Sequence, residues 1–292
     1  MKEIFQEIRE SFRYGSALTR LIYINLAVFL TLKLIYVVFF LSGNEFALYN
    51  LLMLPSDLSL LLYRPWTLIS SMFLHESFLH ILSNLLVLYW FGKIFLSLFS
   101  QDKLVSLYIL GGLAGGATYL AAFNIFPVFE KIRDASFLLG ASSSVIAILM
   151  AAAFYDPTRE IFLFLIGRIQ LRYIALFLII LYIIGITATN PGGNFAHLGG
   201  VLAGFVFAKR MKKGYTTGNW INAFLLRFSR LFKPREKVRL TFRQPPRDDR
   251  DYNRQQNANQ EEINRVLDKI SKSGYDSLTR SEKELLFSQG KK

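Results

Sequence analysis

Apolar residues in this chain gather into long blocks between residues 21 and 208, interrupted by short polar or proline-bearing segments rather than by polar faces at a helical period. A soluble helix bundle requires such faces. Membrane-spanning helices do not, and each needs roughly 20 mostly apolar residues at 1.5 Å rise. The pattern predicts helices over residues 21–41, 78–99, 104–125, 139–155, 173–187 and 195–208. Lys33 interrupts the first block, but its long stem lets the ammonium reach the interface. The apolar stretch from 51 to 99 is too long for one span and contains Pro55, Asp57, Arg64 and Pro65, so residues 43–77 read as an irregular, partly embedded loop. The first twenty residues carry both charge signs and no signal-peptide layout, so the first block reads as a retained helix.

Beyond residue 208 the pattern changes. Residues 220–232 (WINAFLLRFSRLF) mix large apolar side chains with Arg227 and Arg230, which suits an interfacial helix or a short soluble one. Residues 233–260, rich in Arg, Asp, Asn, Gln and Pro, read as a disordered linker. Ile263, Val266, Leu267 and Ile270 then recur at helical spacing, Gly274 supplies a stop, and Thr279 with Glu282 fits a capping box ahead of Leu285 and Leu286. The predicted architecture is an all-α membrane protein. A cytoplasmic segment (1–17) leads into a six-transmembrane-helix bundle (18–210), followed by a basic, partly interfacial or disordered linker (211–260) and a small cytoplasmic helical hairpin (261–292).

Charge refines this picture. The formal net charge of +13 is uneven: residues 1–208 hold 13 basic against 11 acidic side chains, residues 209–292 hold 21 against 10. A basic tail just after the last span points to cytoplasm and lipid headgroups rather than nucleic acid. Six spans put both termini on one side, and the richer Lys and Arg content of the segments on that side predicts that it is cytoplasmic, in a bacterial plasma (inner) membrane. With no cysteine, disulfides, thiolate catalysis and Cys-ligated metals are excluded.

The candidate chemistry is sparse and falls at the membrane segments. There are three histidines, His75, His80 and His197, and an ionisable side chain inside a bilayer points to function. In the run Gly140, Ala141, Ser142, Ser143, Ser144, the glycine permits a strained turn and the serines open a helix whose free N–H groups face any nearby oxyanion. Ordinary helix capping would explain the serines alone. A serine hydroxyl needs a base to become a nucleophile, and His197 is the candidate. His197, Gly200 and Gly204 share one helix face; Gly200 and Gly204 form a small-xxx-small surface matched on the fourth helix by Ser143, Ala147 and Ala151. Close packing of those helices would bring Ser142 beside His197. His80 and Asn84, four apart, share a face of the second helix and can donate toward a developing oxyanion alongside the Ser142 N–H.

These segments resemble, in order and helix placement, the signatures of rhomboid intramembrane proteases: His-xxx-Asn at His80 and Asn84, Gly-x-Ser at Gly140 and Ser142, and Ala-His-x-x-Gly-xxx-Gly from Ala196 to Gly204. The resemblance implies a rhomboid-like bundle and a serine endopeptidase with a Ser142–His197 dyad needing no acid. It further implies that His80 and Asn84 help bind the oxyanion, and that the partners are transmembrane protein substrates and the lipid bilayer. No cofactor or metal is expected. The chain departs from the pattern at Ser143, where the family usually has Gly, at Ile146, where a Tyr is frequent one turn after the serine, and at Trp66-Thr67, where the loop usually carries Trp-Arg.

Other chemistries fit less well. His75, Glu76 and His80 superficially resemble HExxH, but the two histidines are five apart rather than four, about 140° around a helix. Asp102 and Asp156 read as helix-end residues rather than a facing intramembrane pair. An inactive rhomboid-like protein that binds client helices would share the fold, but retention of Ser142, His197, His80 and Asn84 together favours the protease.

Overall fold

The computed structural model describes residues 2–163, 167–188, 190–215, 227 and 249–289. Two compact units separate near residue 233, and each is considered alone.

The larger unit is a helical bundle. Helix α1 (Lys2–Tyr14) is amphipathic and precedes α2 (Ala17–Leu41), whose first turn is capped by Ser16 accepting from the Thr19 N–H at 3.2 Å. The following loop holds three short helices, α3 (Leu48–Leu52), α4 (Leu58–Tyr63) and α5 (Thr67–Ser70), and a two-residue strand, β1 (Leu54–Pro55). It is therefore more regular than the sequence suggested: Asp57 caps α4 through the Ser59 N–H at 2.8 Å, and the prolines sit between the short helices. Next come α6 (Phe78–Leu98), α7 (Gln101–Ile125), a strand β2 (Phe137–Leu138) paired with β1, and α8 (Ser142–Tyr155). A hairpin of β3 (Glu160–Leu163) and β4 (Gly167–Gln170) leads to α9 (Leu171–Gly185) and α10 (Pro191–Lys212). The hairpin escaped sequence reading because its short apolar run has no period that tells a strand from a helix extension. Helix α10 starts four residues earlier than expected, since Asn190 caps it through the Gly193 N–H at 2.9 Å and Pro191 suits the first helical position.

Among the described residues, three helices, α2, α6 and α7, are long and apolar enough to cross a membrane, whereas α8 and α9, at 14 and 15 residues, are shorter than the usual span. Helix α8 is the buried centre, with every residue from Ser143 to Ala153 shielded. Small residues allow this on two sides. A Cβ on Gly200 of α10 would stand 2.4 Å from the Ser143 carbonyl oxygen, and one on Gly204 would stand 2.6 Å from that of Ala147. From α7, a Cβ on Gly111 would meet the Ala147 Cβ at 2.5 Å, and one on Gly115 the Ser143 Oγ at 2.4 Å. Backbone-to-backbone packing of this kind gives van der Waals contact that longer side chains would prevent.

Polar side chains hold the loop against the bundle. Asn25, fully buried, donates to Tyr108 Oη at 3.1 Å, and Tyr108 donates to the Met72 carbonyl at 3.1 Å. Asn124 donates to the Ser56 carbonyl at 2.9 Å. The Gly140 N–H donates to Ser71 at 2.9 Å, which fixes the approach to α8.

The smaller unit contains α11 (Asp249–Ser273) and α12 (Arg280–Gln289), so the expected linker is in error over 249–260 and the hairpin starts earlier than 261. Polarity suggested disorder there, yet Arg, Gln, Ala and Glu are good helix formers and no proline follows Pro246. Val266 and Leu278 are buried within it, and Gly274, at φ +78°, ends α11. Glu282 accepts from the Thr279 N–H at 2.7 Å and from Lys269 Nζ at 2.9 Å. Of the expected helix at 220–232, all but Arg227 lies outside the described residues.

Candidate active site

Ser142 is the first residue of α8, and local backbone geometry exposes it. Gly140 adopts φ +124°, a conformation that suits only glycine, and a Cβ there would stand 3.1 Å from His80 Nε2. The turn therefore lies close under the His80 ring. Ala141 offers no side-chain cap, so the first N–H groups of α8 are not occupied by a capping side chain.

His197 lies in the second turn of α10, three residues before Gly200. With Gly200 against Ser143, the helices approach closely enough for His197 Nε2 and Ser142 Oγ to lie 2.8 Å apart. For Nε2 to accept the hydroxyl proton, the imidazole must carry its own proton on Nδ1. That Nδ1 is buried with no hydrogen-bond partner among the described residues. The imidazole instead packs against Tyr182 of α9, ring centroids 4.6 Å apart and planes inclined by 57°. Tyr182 was not singled out from sequence, where it is one aromatic in an apolar run, and contact between α9 and α10 has no local signature.

The neighbouring serines point elsewhere. Ser143 Oγ lies toward Gly115 of α7, and Ser144 Oγ is buried near Gly112 without a hydrogen-bond partner among the described residues. His80 and Asn84 share one face of α6; an Asn84 amide hydrogen donates to the His80 carbonyl at 2.9 Å, leaving the second amide hydrogen for other use. His75 is fully buried and stands edge-on to His80 at 5.1 Å. Among the described residues, no three His, Cys, Asp or Glu side chains gather as metal ligands.

Ser142, His197, His80, Asn84 and Tyr182 all line one cavity of about 950 Å³, bounded by α6 on one side and α9 on the other. Away from these polar groups its wall is apolar, with Phe91, Ile146, Leu149 and Leu178. A nucleophile paired with a base, adjacent donors and an apolar cleft are the parts of an acyl-transfer site.

A rhomboid-domain family model matches residues 63–213, just over half the chain and all the residues just described. The chain belongs to the rhomboid family. Together with its long apolar helices, this makes it a multi-pass membrane protein. RHOMBOID-like protein 12, mitochondrial, of Arabidopsis thaliana is 34% identical over 160 residues, which cover 52% of this rhomboid and 48% of the plant protein. The chain thus spans about half the length of that relative. The model of a family of unknown function matches residues 248–291, the second helical unit.

Proposed function

We propose that this rhomboid is an intramembrane serine endopeptidase that cleaves transmembrane proteins with Ser142 and His197. The observation that carries this reading is the 2.8 Å contact between Ser142 Oγ and His197 Nε2 at the N-terminus of α8, within the cavity. His197 Nε2 takes the hydroxyl proton as Ser142 Oγ attacks the peptide carbonyl. The resulting oxyanion is stabilised by the Ser142 N–H, His80 and Asn84. As the C–N bond breaks, the protonated Nε2 gives its proton to the leaving amine. A water molecule, deprotonated by His197, then attacks the ester, and collapse returns the proton to Ser142 and releases the acid.

The same reading gives a depth for the chemistry. Helix α8, 14 residues long, spans about 21 Å. With its Asp156 end at the cytoplasmic interface, Ser142 lies about 10 Å below the opposite face of a ~30 Å hydrocarbon core. The six helices α2 and α6 to α10 act as the spans, and the Lys and Arg bias of the sequence orients both termini toward the cytoplasm of a bacterial plasma membrane. The relative's name places that plant protein in mitochondria, so reporter fusions to each terminus provide the check.

The test uses purified full-length protein with a fluorophosphonate probe and candidate single-span proteins, the cut being mapped by mass spectrometry. Labelling and cleavage lost in Ser142→Ala support the protease. A folded protein that holds single-span clients without labelling or cutting is instead an inactive client-binding rhomboid.

A further inference from the structure

The wall of the cavity changes character along its length. On α6 the lining residues Phe91, Val87, Asn84 and His80 recur every three or four positions and so share one helix face. Phe91 packs in the same apolar cluster as Leu178 of α9. His80, about 16 Å further along the helix axis, lies against the Gly140 turn that precedes Ser142. Beyond it the wall ends at Glu76, just before Ser77, the N-cap of α6. The cleft thus runs from an apolar end, past the nucleophile, to a carboxylate.

Among the described residues that line the cavity, Glu76 is the only Asp, Glu, Lys or Arg. It is exposed, and no Lys or Arg among the described residues lies within ion-pair distance of it. A segment lying in the cleft with a peptide bond at Ser142 sets its apolar side chains against Phe91 and Leu178 and leads outward past Glu76. There a lysine or arginine meets an unneutralised carboxylate, whereas an aspartate or glutamate meets a like charge. The outer flanks of spanning proteins are poor in Lys and Arg, so a contact of this kind separates a minority of spanning proteins from the rest.

We propose, resting on the protease reading and its orientation in the membrane, that Glu76 determines specificity by selecting substrates with a lysine or arginine a few residues to the outer side of the scissile bond. The substrate class is then a spanning segment that is apolar inward of the cut and basic just outward of it.

The test uses the purified full-length protein and otherwise identical single-span substrates carrying Lys or Glu at each of about six positions outward of the mapped cut, a reach of roughly 20 Å in extended chain. The readout is the ratio of kcat/KM for the Lys and Glu members, taken within each of wild type, Glu76→Gln and Glu76→Lys, with melting temperature as the check on folding. At one or more positions wild type is expected to favour Lys by about tenfold, Glu76→Gln to bring the ratio within about twofold of one, and Glu76→Lys to reverse it. A carboxylate beside the N-terminus of α6 also favours that helix, and Glu76 acts electrostatically on His80. Either effect changes the cleavage of both members alike and leaves the ratio unmoved. A wild-type ratio near one at every position overturns the proposal, as does a wild-type ratio retained by Glu76→Gln. If the variants do not fold, the wild-type ratio in about 1 M salt decides, where screening acts within about 3 Å: a collapsed ratio supports the charge contact and an unchanged one overturns it. Wild-type protein that neither labels with fluorophosphonate nor cuts any member removes the protease reading itself, an outcome distinct from cleavage without charge preference.

Discussion

Three consecutive serines separate by direction. Successive helix positions turn by about 100°, so one hydroxyl of the three meets His197, one lies toward Gly115 of α7, and one is buried near Gly112 with no hydrogen-bond partner among the described residues. Ser142→Ala is therefore expected to abolish fluorophosphonate labelling. Ser144→Ala removes a buried hydroxyl that makes no hydrogen bond, so labelling and melting temperature stay close to wild type; loss of labelling there with Ser142→Ala still labelled would reassign the nucleophile. On the oxyanion side, His80→Ala is expected to lower kcat by about 10²-fold, the usual consequence of losing one donor to a developing negative charge. Equal cleavage by wild type and variant would remove His80 from that role. Ser142, His197, His80 and Asn84 were legible in the sequence because each sits in a short motif of fixed spacing. Tyr182 and Asn194 were not, because the packing of α9 on α10 that brings them to the site has no local sequence signature.

At the scale of elements, half of the central packing could be read in advance. The surface of Gly200 and Gly204 faces Ser143, Ala147 and Ala151, residues whose spacing shows a common helix face. The second half, Gly111 and Gly115 of α7 against that same line, lay in the run GGLAGG, where several glycines together hide which of them meet a neighbour. The packing predicts a rank order of melting temperatures. Gly200→Ala forces a methyl against a backbone oxygen that cannot move freely, and is expected to cost about 1–3 kcal/mol. Gly116→Ala, whose Cβ would meet the flexible side chains of Leu54 at 3.0 Å and Leu68 at 4.0 Å, is expected to cost less, and the reverse order in detergent melts would contradict the seam. In the second unit, the Thr279 N–H, with the Lys269 ammonium and the Thr279 hydroxyl, holds the Glu282 carboxyl down at about 2, below its ordinary value near 4.5. A carboxyl depressed by folding stabilises above its unfolded pKa and loses that contribution as pH falls toward the folded value. Amides of α12 should therefore exchange faster as pH drops from about 4.5 toward 2, once corrected for intrinsic rates, and Glu282→Gln should remove that dependence.

Every side chain assigned to the site lies between Glu76 and His197, inside the stretch shared with the rhomboid domain, so truncation after Lys213 is expected to leave labelling intact. The cavity of about 950 Å³ lies between α6 and α9 with Ser142 on its wall, and helix geometry limits what can reach that side chain. Within an intact helix the scissile carbonyl is also hydrogen-bonded and shielded by the following turn, so Ser142 Oγ cannot approach it along its face. On the protease reading, a short stretch of substrate is expected to unwind and enter extended, with a small side chain beside the bond where the Gly140 turn lies close under His80. Gly or Pro placed near the outer end of a substrate helix should raise kcat/KM, by up to about tenfold if unwinding costs 1.4 kcal/mol more in the parent helix. Cleavage rates indifferent to such substitutions, with the cut site unchanged by mass spectrometry, would mean that the helix is cut without unwinding.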